Sequence, residues 1–293
     1  MGTRIENLLT YRAGAQEKGS LQIACQLARD VVRDAAGKVT PVSQLIYTGV
    51  YRDGDVQEPA QAPYVQRAMA EAAGKSAALP EGTFCFDVDR LVAAMEVADG
   101  LVRSRGLGAA LVVASDRTVD YAEPKGQRMP ESGAALLLTA GDGCGFEAFH
   151  HAFFPEHVEL HQANLRWVKD GEKGRHTMVV VESPRYREAC LDTAEQALRT
   201  FMADVDLKLD DRTILLPSQY PPGFPEMLRA RMGLKHSHVV DVNHQEAPGP
   251  LTAGPLMALE NAMQDGRYKG ARDVIFLTVD PGITVSLALY RKG

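Results

Sequence analysis

This chain of 293 residues is short of several features, and each shortage excludes something. It has four cysteines, Cys25, Cys85, Cys144 and Cys190, widely spaced and without a CxxC pair. That spacing argues against a disulfide framework or a zinc site and fits a reduced, cytoplasmic setting. The longest apolar runs, such as Gly133–Ala140, fall far below the length of a membrane span. The first residues carry no charged-then-apolar secretory signal. Thirty-two Lys and Arg stand against 38 Asp and Glu, a net charge of −6, and no basic cluster rises above scattered surface charge. Nucleic acid is therefore not an expected partner. Low-complexity tracts are absent, and nothing calls for a cofactor.

What is present is an alternation of strand-like and helix-like segments. Arg4–Tyr11 reads as a strand. Ser20–Ala35 places Leu21, Ala24, Cys25, Ala28, Val31 and Val32 at helical spacing. Leu45–Val50 and Thr83–Val88 read as strands, and Ala62–Ala73 as a helix. A helix follows Val88 and ends near Arg105. Ala109–Ala114 and Ala134–Thr139 are all-apolar strands, the pattern of a sheet covered on both faces. The second half continues in the same way. Strands are expected at Thr177–Val181, Thr213–Leu216 and His238–Val242, and helices at Tyr186–Ala203, Pro225–Met232 and Ala253–Gln264. Two closing strands, Val274–Val279 and Ile283–Tyr290, flank Pro281-Gly282. The alternation predicts mainly parallel sheets with helices on both faces. It also predicts two similar halves, 1–143 and 144–293, joined near Gly141–Gly145.

Five stretches stand out along the chain: Leu45-Ile-Tyr-Thr-Gly-Val-Tyr-Arg-Asp53, Val97-Ala-Asp-Gly-Leu101, Ala110-Leu-Val-Val-Ala-Ser-Asp116, Ile214-Leu-Leu-Pro217 and Asp280-Pro-Gly-Ile-Thr284. Together they resemble the ketoacyl synthase III family of the thiolase-like condensing enzymes. They occur in the family's order and across most of the chain. The resemblance implies a five-layered α/β/α/β/α fold of two pseudo-repeated halves. It also implies a dimer in which the strand before the nucleophile, here Thr83, Phe84, Cys85, Phe86, Asp87 and Val88, pairs at the sheet edge with its counterpart. Such pairing would satisfy the edge's open backbone groups.

The resemblance equally locates what is missing. A decarboxylating condensation needs a thiolate at a helix start to take the acyl group, and two donors to stabilise the developing enolate and oxyanion. The family's Cys follows Phe-Asp by a few residues, whereas here Phe86-Asp87-Val88 runs almost directly into the helix. About four residues, that Cys included, are absent between Val88 and Leu91. Ser218 stands where the family's His follows Leu216-Pro217, and Pro248 stands about where its Asn belongs. Asn243 and His244 become candidates for that role under a shifted alignment. The fallback nucleophile is Cys85, which alternation places on the face opposite Phe84 and Phe86, where a buried structural Cys is the simpler reading.

Other features have both a functional and a bland reading. His161-Gln-Ala-Asn-Leu-Arg166 copies the family's catalytic-His sequence but precedes the Leu216-Pro217 strand, so an exposed or partly buried strand or loop is expected there. His150, His151, His157 and His161 cluster within twelve positions. They lack the zinc-hydrolase pairing and suggest a solvated, interface-forming loop. Asp142-Gly-Cys-Gly145 reads as a turn between halves, Lys169–Arg175 as a hairpin loop, and Trp167 as a packing or partner contact. The connection from Tyr11 to Ser20 is shorter than the family's, which weakens independent binding of coenzyme A or acyl carrier protein.

The resemblance therefore implies a non-catalytic subunit, similar to the nucleophile-lacking partner in two-subunit alkylquinolone synthases. It would pair as a heterodimer, or a dimer of heterodimers, with a Cys-bearing homologue in fatty-acid-derived or secondary-metabolite biosynthesis. Two other readings stay open at this point. One is an acyltransferase or condensing enzyme with a relocated site drawn from Cys85, Cys144, His161 or His244. The other is a stand-alone protein binding acyl-coenzyme A or acyl carrier protein. No metal or membrane partner is expected.

Overall fold

The computed structural model describes residues 2–14, 16, 18–35, 41–52, 60–73, 84–105, 108–121, 128–170, 173–242 and 249–293. In chain order the first elements are β1 (Gly2–Arg12), α1 (Ser20–Ala35), β2 (Val42–Thr48), α2 (Ala62–Ala73), β3 (Phe84–Asp87), α3 (Leu91–Arg105), β4 (Ala109–Asp116), β5 (Val119–Tyr121), β6 (Arg128–Met129) and β7 (Ser132–Gly141). They continue as β8 (Gly145–Phe153), β9 (His161–Asp170), β10 (Lys173–Glu182), α4 (Tyr186–Asp204), β11 (Thr213–Pro217), α5 (Phe224–Met232), α6 (Gly254–Gln264), α7 (Arg267–Gly270), β12 (Asp273–Asp280) and β13 (Thr284–Arg291).

Strand alternation builds the layers. In β4, Ala110, Val112 and Ala114 face one core with α3, while Leu111 and Val113 face another with α1 and α2. In β12, Val274 and Phe276 join the first core, and Ile275 and Leu277 face α4 and α5. Helices α3 and α6 thus lie between two sheets, and each sheet carries a helix pair outside. Each apolar side chain buried in this way contributes roughly 1.5–3 kcal/mol.

The first sheet has the order β1-β7-β4-β2-β3 and the second β8-β13-β12-β11. Matched from one end, the two orders repeat: each sheet runs from a half's first strand, through its closing antiparallel pair, to its parallel strands. The expectation of mainly parallel sheets is corrected here. β2 pairs in parallel with β3 and β4, and β11 with β12, but the β4–β7, β7–β1, β12–β13 and β13–β8 pairs are antiparallel. The all-apolar strands owe their composition to helix layers on both faces, which antiparallel strands need equally when they are buried.

Two further expectations change. His238–Val242 is not a ladder strand; a 3₁₀ turn, His236–His238, leads into a single bridge between Leu215 and Val239. The Gln219 amide explains this by occupying the Val240 carbonyl (3.3 Å) and the Val242 N–H (2.9 Å), leaving them no strand partner. The histidine cluster is not a loop. His150 and His151 lie on β8 opposite Leu287 and Ser286, His157 is in the 3₁₀ turn Pro155–Leu160, and His161 opens β9.

A third sheet, β6-β5-β10-β9, covers the outer core of the second half. Of the expected hairpin loop Lys169–Arg175, residues 171 and 172 lie outside the described residues, and the flanking ones pair in the β9–β10 ladder, Lys169 with Gly174 and Asp170 with Lys173. Asp142 and Gly143 form the bend between β7 and β8. No helix among the described residues is long and apolar enough to cross a membrane.

Candidate functional site

The site is built where β2 and β12 end and α3 begins. A cavity of about 360 Å³ is lined by Gly49, Val50, Arg52, Asp89, Arg90, Met178, Asp280 and Pro281. Gly49 follows β2 and passes so close to β4 that a Cβ there would stand 2.2 Å from the Ser115 carbonyl oxygen. Only glycine fits that approach.

Val88 is tied back to β2 by its N–H on the Tyr47 carbonyl at 2.9 Å. Asp89 and Arg90 are then the whole connection to α3, and the first N–H satisfied within the helix is that of Ala94, on the Arg90 carbonyl at 2.9 Å. The earlier N–H groups have no partner within the helix and point back toward the cavity side. Asp87 accepts the N–H groups of Gln61 (3.3 Å) and Ala62 (3.0 Å) at the start of α2 and pairs with Arg52 at 3.1 Å. Arg52 also reaches Asp89 at 3.9 Å, so its charge is already committed. Arg90 differs: its guanidinium sits 5.5 Å over the Phe153 ring and makes no ion pair or hydrogen bond among the described residues.

Asp280 closes the cavity at the end of β12. Burial pushes its carboxyl up to about 6, against a hydrogen bond from Thr278 (3.1 Å) and the nearby charges of Arg90 and His151, while Asp116 adds to the rise. Burial also raises the Asp116 carboxyl, although it accepts three backbone N–H groups: Val50 (2.8 Å), Tyr51 (2.9 Å) and Thr252 (2.9 Å).

The candidate nucleophile and donor positions of the sequence that are described do not converge on this cavity. Cys85 packs toward α1 and α2, and Phe86 toward α3, as alternation required. The Cys85 thiol donates to Gln66 at 3.0 Å, and burial, then Asp87, raises it away from the thiolate. Cys144 sits between β7 and β8. Ser218 is buried with its N–H on the Leu277 carbonyl (2.7 Å) and its hydroxyl accepting the Val279 N–H (2.9 Å), so it extends the β11–β12 pairing. Gln219 beside it also donates to the Pro217 carbonyl at 2.8 Å. Gly249 is required there, since a Cβ would stand 2.4 Å from the Gln219 carbonyl oxygen. Thr83, Asn243, His244 and Pro248 lie outside the described residues. β3 is the edge strand of the first sheet, with β2 as its neighbour.

His161 is not exposed. Its Nε2 lies 2.9 Å from the Tyr51 hydroxyl, and its Nδ1 is 3.4 Å from Glu182, within ion-pair range but off hydrogen-bond geometry. The Tyr220 hydroxyl donates to the same Glu182 oxygen. The His161 ring packs on Tyr186 at 4.9 Å, and burial pushes the adjoining Cys190 up to about 12. This cluster binds the third sheet to the rest of the molecule but does not line the cavity. Residues Gln162 to Trp167 of the same strand are exposed. His151 bridges Ser286 (2.9 Å) and Glu96 (2.8 Å). Among the described residues no group of His, Cys, Asp and Glu is arranged to hold a metal.

Sequence reasoning missed Arg90, Asp89 and Arg52 as cavity residues, although Arg90 occupies the very gap it identified. Asp280 carried a signal only as part of the turn motif.

No protein-family model matches this chain, and no curated protein is similar to it in sequence. Solved structures are similar in fold. A β-ketoacyl-(acyl-carrier-protein) synthase III from Thermus thermophilus has a TM-score of 0.75 at 18% identity, over 100% of this chain and 98% of that one. A variant of OleA from Xanthomonas campestris gives 0.79 at 15% identity, over 100% and 97%. Another OleA variant, with Cys changed to Ser and with lauric acid and lauroyl-CoA bound, gives 0.75 at 16%, over 96% and 85%. The fold is therefore the thiolase-like, ketosynthase III-type α/β/α/β/α architecture.

Proposed function

We propose that this chain is a ketosynthase III-like subunit without condensing chemistry of its own. It pairs with and supports a Cys-bearing condensing enzyme in making a fatty-acid-derived or secondary-metabolite product. The observation that carries the reading is the start of α3, where Asp89-Arg90 enters the helix and, among the described residues, no cysteine lines the cavity beside it. Acyl transfer to the enzyme needs a thiolate within reach of the thioester carbonyl. Arg90 is a fixed cation that cannot take an acyl group. The locked hydrogen bonds of Ser218 and Gln219 support the same reading, since neither side chain is free to stabilise an enolate. The edge position of β3 supports pairing through Phe84–Asp87, where open backbone groups would be satisfied by another chain.

The test is intact-protein mass spectrometry after exposure to an acyl-coenzyme A series, with this chain alone and with a Cys-bearing homologue encoded beside it. The expected result is an acyl adduct on the homologue and none on this chain. A stable acyl adduct on any residue of this chain would overturn the reading.

A further inference from the structure

We infer that β9 is a docking edge for a second copy of this chain, which adds its own β9 in antiparallel alignment with Leu165 opposite Leu165. The contact lies on the third sheet, is separate from β3, and does not depend on the pairing proposed above.

The edge is regular and exposed. β9 is the last strand in the order β6-β5-β10-β9, and among the described residues it pairs only with β10. Its ten pairs with β10 run from His161–Glu182 to Asp170–Lys173 without a bulge. Gln162 to Trp167 are all exposed, Leu165 to 49% and Trp167 to 63%. Edge strands ordinarily carry a proline, a bulge or a charge that discourages an added strand. Gln162-Ala-Asn-Leu165 carries none of these.

The side chains select the occupant. Alternation puts Ala163, Leu165 and Trp167 on one face and Gln162, Asn164 and Arg166 on the other. Antiparallel pairing of two copies about Leu165 sets Leu165 on Leu165, Trp167 on Ala163 and Arg166 on Asn164. A large ring then covers a small side chain, and each guanidinium meets an amide oxygen instead of a like charge. Centring the pair on Arg166 would oppose two like charges. Centring it on Asn164 would set Trp167 against His161, which is buried and offers the ring no surface. Self-complementarity about one residue is what a two-fold contact between identical chains requires.

The contact also reaches the cavity wall. Leu165 is the ladder partner of Met178, which lines the cavity. Pairing makes one apolar row of Met178, Leu165, Leu165 and Met178 across four strands, with ~14 Å between the outer Cα atoms. The sheet that walls one cavity thus becomes continuous with the sheet that walls the other. An exposed edge from Gln162 to Trp167, ~20 Å long, supplies well under the ~800 Å² per partner of a stable complex. The association is therefore weak, with a dissociation constant in the micromolar range.

The test is sedimentation velocity and tryptophan emission of the purified full chain alone, from ~1 to ~200 µM. Trp167 is the chain's one tryptophan, so its emission reports this edge directly. The expected result is a monomer–dimer equilibrium in which the emission shifts to the blue as dimer forms. Leu165→Glu and Leu165→Lys should each hold the chain monomeric, because each places two like charges on the two-fold axis. An equimolar mixture of the two variants should dimerise again, which also shows that both are folded. A chain that stays monomeric to ~200 µM, a dimer whose Trp167 emission does not shift, or a variant mixture that stays monomeric would overturn the assignment. No Cys-bearing homologue enters these measurements, so their outcome is separate from that of the pairing through β3.

Discussion

The Asp116 carboxylate at the end of β4 accepts the backbone N–H of Thr252 at 2.9 Å, joining the first half of the chain to the start of α6 in the second. The same carboxylate holds Val50 and Tyr51, so one buried side chain fixes both the cavity wall and the seam between halves. Asp116→Ala leaves three N–H groups, those of Val50, Tyr51 and Thr252, without their acceptor. It should cost about 3 kcal/mol or more, measured as a lowered thermal midpoint, with Asp116→Asn losing less because one acceptor oxygen remains. An unchanged midpoint would show that the clasp does not bind the halves.

Gln219 does the same work for the segment after β11. Its amide meets the Pro217 and Val240 carbonyls and the Val242 N–H within a buried site. Gln219→Ala should destabilise by about 2–4 kcal/mol and raise hydrogen exchange at Val240 and Val242 before it does so in β12. Exchange rising equally everywhere would contradict this local role.

Asp280 gives the fold a pH dependence of definite sign. Its carboxyl is at about 6 when folded, against about 3.9 when unfolded. Between these values the folded state holds more protons, so this group's contribution to stability falls as pH rises from about 4 to 6 and is flat above. Asp280→Asn should remove that slope and stabilise the chain near neutrality by up to about 3 kcal/mol. Denaturant midpoints across the window, with parallel wild-type and variant curves, would contradict the assignment.

Cys85 and Cys190 should be poor nucleophiles in the folded chain. Burial and Asp87 raise the Cys85 thiol, and burial holds Cys190 at about 12. Iodoacetamide at neutral pH should label both more slowly than in the denatured chain, with Cys190 slowest, as read by peptide mass spectrometry. Cys85 reacting at its denatured rate would reopen the fallback nucleophile.

Much of this architecture was legible before the fold was known. Ala109–Ala114 and Ala134–Thr139 were identifiable as strands because helices cover both their faces, and Pro281-Gly282 marked the β12–β13 turn. Cys85 and Phe86 were assigned to opposite faces by alternation alone, and they lie there. β5 and β6 were not legible, since two or three residues carry no period. The strand expected at His238–Val242 fails because a side chain, Gln219, takes the place of a neighbouring strand, and no pattern in the segment itself records that. The cavity was illegible for a related reason. Its lining comes from the ends of β2 and β12, the start of α3 and the middle of β10, and only the fold brings Arg90 within reach of Asp280 and Phe153.

The central claim, a degenerate subunit acting through a partner, is tested most directly by co-expressing this chain with a neighbouring Cys-bearing ketosynthase homologue and recording native mass spectra. The account predicts a stable mixed assembly whose condensing activity needs both chains. A symmetric homodimer or a monomer that ignores the homologue would contradict it.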